Sequence, residues 1–107
     1  EVAVDEVTTQ PVVTVPAIVQ RALRGQWVPS ARHDRMTAAE LGAALGCSEH
    51  DANRAAHAVT ARRLIIGGNA DVLAGTVNGH PERVEEGRLK IEEGKRLGIM
   101  ALSGDLT

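Results

Sequence analysis

The sequence predicts a mainly α-helical fold: a three-helix core, a small β-hairpin and an added C-terminal helix. Three observations lead there. The chain has 107 residues, the size of a single domain. Its apolar residues, 43% of the total, are small aliphatics, with Trp27 the only aromatic side chain. Short segments with helical periodicity are bracketed by capping residues and glycines, which are local start and stop signals.

Residues 1–15, EVAVDEVTTQPVVTV, are rich in Val and Thr and alternate at Val2 and Val4 and again at Val13 and Val15, so they are expected to be extended. Pro11 would confine them to an edge strand or a tail. From Pro16 the spacing of Ile18, Val19, Ala22 and Leu23 predicts a helix over 16–24, stopped by Gly25. Residues 25–36 hold Gly, Pro and Ser and are predicted to be a loop with a short strand ending at Met36.

Thr37 and Glu40 have the spacing of a capping box, Leu41, Ala44 and Leu45 supply an apolar face, and Gly46 ends the second helix. Ser48 caps a third helix running to about Arg63, with Asp51 in the place of the reciprocal acid and Ala52, Ala55, Ala56 and Val59 as the buried stripe. Leu64, Ile65 and Ile66, then Gly67-Gly68-Asn69, then the apolar run 72–77, predict strand, turn and strand.

The last block repeats itself as VEEGRLK (84–90) and IEEGKRL (91–97). On a helix over 84–102, Gly87, Gly94 and Gly98 share the stripe of Val84, Ile91 and Leu102, while Leu89, Leu97 and Met100 make a second face. Interior glycines each cost a helix roughly 0.5–1 kcal/mol. A backbone approaching that face, from the same domain or from a second subunit, would explain them; the alternative is that they separate short helical pieces. The expected division is therefore 1–15 extended, 16–77 core and 78–107 C-terminal helix, the last a possible dimerisation element.

Composition removes several functions. One aromatic residue gives no stacking platform for single strands, and one cysteine gives neither a disulfide framework nor a thiolate zinc cluster. No apolar run approaches the roughly 20 residues that span a bilayer, and the expected location is cytoplasmic. Cys47 falls at a position expected to be buried and inert, and His50 and His57 are seven apart rather than the four of a helical zinc pair, so no metal, cofactor or enzymatic activity is expected. The formal charge of −2 hides a segregation: residues 1–20 contain three acids and no base, whereas 21–66 contain seven Arg against four acids.

The segment TAAELGAALGCSEHDANRAAHAVTARRLI (37–65) resembles the helix-turn-helix and following strand of bacterial winged helix-turn-helix regulators. The resemblance implies that helix 48–63 enters the major groove of double-stranded DNA, with a transcriptional regulator of bacterial or phage origin as the expected function. It implies Arg54 against guanine, Asn53 against adenine, and Ser48, His50 and His57 toward bases or phosphates, with Arg32, Arg35, Arg62 and Arg63 as phosphate contacts. A homodimer through the 84–102 helix would place two such helices one DNA turn apart. The sequence departs from the pattern at Arg63, where such families commonly have Gly. The expected wing carries Asp71 and no basic residue, so no grip on the minor groove is expected from it. The rival reading is a protein-interaction module, with the acidic first turn of Glu49 and Asp51 facing a polypeptide partner.

Overall fold

The computed structural model describes residues 14–107, so the expected extended segment 1–15 lies, but for its last two residues, outside the described residues. Five helices follow in order: α1 (Ala17–Leu23), α2 (Ala31–Asp34), α3 (Ala38–Leu45), α4 (Glu49–Asn78) and α5 (Pro81–Ser103). There is no strand among the described residues. The winged helix-turn-helix fold predicted from the sequence is therefore corrected: α3, a turn and α4 are present, but the hairpin is not.

Residues 64–77, expected to form that hairpin, continue α4 without a break for 30 residues, about 45 Å of helix. The physical reason lies in the glycines. Gly67-Gly68 has the composition of a turn, but Ala61, Gly68 and Gly75 on α4 lie at intervals of seven, as do Gly87, Gly94 and Ala101 on α5, and all six are buried. Those rows face each other, and the two helices run antiparallel at very close range. A Cβ on Gly68 would sit 2.6 Å from the Gly87 carbonyl oxygen, and one on Gly87 would sit 2.5 Å from the Gly68 carbonyl oxygen. Gly94 is similarly close to the Ala61 carbonyl oxygen, at 2.9 Å. The backbones occupy the space that side chains would need, and the dispersion gained along the seam offsets the helix propensity lost at each glycine. Ile65, Val72, Val84 and Ile91 fill the seam between the glycines. Gly98, expected on the same stripe, meets nothing closer than the Ala61 Cβ at 3.8 Å and lies beside the seam.

The hairpin turns at Gly79, whose φ of 69° is left-handed, and Pro81 starts α5 where its missing N–H has no carbonyl to lose. Asp71 clasps the pair on one side, accepting from Lys90 Nζ at 2.6 Å and from Arg83 Nε at 3.3 Å. These two cations, with the hydrogen bond from Lys90 the largest influence, hold the Asp71 carboxyl below its ordinary value.

The core proper sits at the other end of the hairpin. Ile18, Val19 and Ala22 of α1 pack on Ala55, Ala58 and Val59 of α4 and on Ala101 of α5, with Trp27, Leu45 and Cys47 at its margin. Ser30 caps the short α2 inside the segment expected to be loop and strand. No described helix is long and apolar enough to cross a membrane.

Candidate nucleic-acid interface

The α3–turn–α4 unit is built by local hydrogen bonds that its sequence dictates. Glu40 N donates to Thr37 Oγ1 at 3.2 Å and Thr37 N donates to Glu40 Oε1 at 3.0 Å, closing the capping box and holding the Glu40 carboxyl below its ordinary value. Gly46 turns the chain at φ 71°, and Cys47 N donates back to the Gly42 carbonyl at 2.9 Å. Ser48 Oγ then accepts from Asp51 N at 3.0 Å as the N-cap of α4. The sequence reading missed Gly42. A Cβ there would lie 2.8 Å from the Cys47 carbonyl oxygen, so only glycine lets the turn fold back this tightly. Its spacing of four before Gly46 was the available signal.

The candidate residues separate into three groups. His50 is exposed and Asn53 is half-buried on the outward side of α4; His57 is half-buried, its Nδ1 2.8 Å from the Asn53 carbonyl oxygen, which leaves Nε2 as the outward atom. Arg32 and Arg35 are exposed on and after α2, and Arg63 is exposed on α4. None of these three arginines forms an ion pair among the described residues.

Arg54 and Arg62 form the third group and are turned elsewhere. Arg54 is 7% exposed. Its Nε donates to the Ala101 carbonyl and its Nη2 to the Leu102 carbonyl, both at 2.8 Å, so the guanidinium caps the end of α5 and is not presented to a DNA base. Arg62 lies against the turn at Gly25, where any Cβ would collide with its guanidinium. Of the arginines that the resemblance assigned to DNA, Arg32, Arg35 and Arg63 are exposed, whereas Arg54 and Arg62 are engaged within the fold.

Between α2 and α4 lies a cleft of about 230 Å³, lined by Trp27, His33, Asp34, Asn53, Thr60 and Arg63 among others. Ser30 N donates to His33 Nδ1 at 3.1 Å, which leaves the neutral ring protonated at Nε2, and Trp27 meets that ring at a tilted 5.9 Å. The cleft mixes donors and acceptors but brings together no three groups able to hold a metal ion, and none occurs elsewhere among the described residues. Burial, reinforced by Asp51, pushes the Cys47 thiol up, which lowers its thiolate fraction and its reactivity.

Comparison of the chain with models of protein families, with curated proteins and with solved structures finds no match.

Proposed function

We propose that the chain binds double-stranded DNA through the α3–turn–α4 unit. The observation that supports this reading is that Arg32, Arg35 and Arg63 are exposed and free of ion pairs with any described carboxylate, while His50 is exposed and Asn53 half-buried in the first two turns of α4. Cations without local acid partners are available to phosphates, and side chains one to two turns into α4 stand where base edges would be met. With Arg54 engaged internally, most of the affinity comes from phosphate contacts and little from base readout.

The test is a fluorescence-anisotropy titration of a labelled duplex with the full chain. Three phosphate contacts give a log–log salt slope of about −3, a loss of roughly 40-fold between 50 and 200 mM salt. Replacing Arg32, Arg35 and Arg63 together with Ala is expected to flatten that slope and weaken binding by at least about tenfold. No binding at 50 mM salt, or binding indifferent to the triple substitution, overturns the proposal.

One observation favours a second reading, a protein-interaction surface. Asp34 lies in the α2–α4 cleft and Glu49 is exposed in the first turn of α4, so the same face carries acids as well as arginines. Under that reading the duplex titration is flat at every salt concentration.

A further inference from the structure

On the side of the α4–α5 hairpin away from Asp71, the two helices leave an open groove of about 610 Å³ lined by Leu23, Ile65, Ile66, Ile99 and Leu102, with Gly98 at its floor. Ile66 is 51% exposed and Ile99 67%. Leu73, seven residues beyond Ile66, extends the apolar wall and is also exposed. The charged residues that line the groove share one sign, and Glu92, exposed on α5 between Arg88 and Lys95, is outside its lining. Arg62 and Lys95 line the groove, and Arg88 stands two turns before Lys95 on the same side of α5. No carboxylate lines it, and none of the three cations is ion-paired among the described residues. The groove therefore calls for an occupant that is apolar on one face and acidic.

We infer that this occupant is the chain's own first 13 residues. They carry Glu1, Asp5 and Glu6 with no basic residue, together with Val2, Val4 and Val7. The described chain begins beside the groove: Val15 lines a neighbouring hollow that shares Ile99 and Leu102 with it, and is held there by Gln20 Nε2 donating to its carbonyl at 2.9 Å. Thirteen residues reach as far as about 43 Å, against the roughly 27 Å from Leu102 back to Val84 along α5. A second copy of the same groove fits less well, because it would bring a second Arg62 and Lys95 against the first pair, with no carboxylate lining either groove. The inference goes beyond the DNA reading and concerns a different surface.

A photo-crosslinking residue placed at Val4 of the full chain tests this. Expected are intrachain crosslinks to residues 62–73 of α4 and 88–102 of α5, with a yield that falls at least fivefold in 1 M salt and in the Arg88→Glu, Lys95→Glu variant. Both positions are exposed, and circular dichroism confirms that the variant keeps its helices. Adding Asp5→Lys and Glu6→Lys to that variant is expected to restore the yield. Crosslinks between two chains, crosslinks outside the groove, or a yield indifferent to the charge reversals would each overturn the inference.

Discussion

The two ends of α4 are stabilised by different physics. Its first four turns bury Ala55, Ala58 and Val59 in the core and are finished by caps and side-chain hydrogen bonds: Ser48 at the N-terminus, the Thr37–Glu40 box before it, and Arg54 reaching the carbonyls of α5. Its last four turns have neither side-chain caps nor large buried residues and depend on Gly68 and Gly75 lying against the backbone of α5. The comparison shows how one helix can carry polar functional positions at one end and a close-packed seam at the other. Caps leave side chains outside free, whereas a glycine seam removes them.

The largest effect expected from breaking this contrast is at the seam. Gly87→Val places branched carbons where the Gly68 carbonyl and Val72 already are, with contacts of 2.5 and 2.8 Å even for a bare Cβ. Overpacking of this kind costs about 3 kcal/mol, which the urea midpoint of the full chain would register. Gly67 supplies the control. It lies in the same helix with nothing within 4 Å of an added Cβ, so Gly67→Ala is expected to stabilise by roughly 0.5–1 kcal/mol. Equal effects at the two positions would show that helix propensity, and not backbone contact, governs the seam.

An intermediate effect is expected at the junction of the two regions. Arg54→Ala strands the Ala101 and Leu102 carbonyls at the end of α5 and removes a buried guanidinium, a loss of about 2 kcal/mol. If DNA binding is retained by a folded Arg54→Ala chain at low temperature, the structural role assigned to this residue stands. A selective loss of binding with unchanged stability would return it to the interface.

These residues also show what the sequence could disclose. Thr37, Glu40, Gly46 and Ser48 announce their elements because capping is local, decided within three or four residues. Ala52, Ala55 and Val59 are legible through helical spacing and are buried, whereas Ala56, expected in the same stripe, is exposed. The hairpin expected over 64–77 failed for a non-local reason. Gly67-Gly68-Asn69 reads as a turn until Gly87, 19 residues further on, is known to lie against it. Arg54 was misplaced for the same kind of reason: an arginine on an exposed-looking helix position is indistinguishable from a base-reading one until its carbonyl partners, 47 and 48 residues away, are located. Of the candidate interface, Arg32, Arg35, Arg63 and His50 are exposed and Asn53 is half-buried. Sequence spacing could not show which arginines the fold would engage elsewhere.

The smallest and most selective effect concerns pH, and it bears on the far end of the hairpin, where Asp71 makes the ion pairs that join α4 to α5. Its carboxyl is held below the ordinary value of about 3.9, first by the hydrogen bond from Lys90 and then by Arg83. A group depressed on folding contributes stability that is fully present above the unfolded value and is lost as pH falls through the lower folded one. Asp71→Asn is therefore expected to lower the urea midpoint modestly at pH 7. The difference from the unmodified chain should persist at pH 5 and narrow only as pH falls below the ordinary carboxylate range and through the lowered folded value, where both chains come to present a neutral side chain. Glu40, Glu93 and Asp105 are depressed as well, so the unmodified chain weakens in acid for several reasons. The difference between the two chains isolates Asp71. A difference that does not narrow in acid would mean that Asp71 acts through its shape and neutral hydrogen bonds, leaving the far end of the hairpin to the packing of the seam.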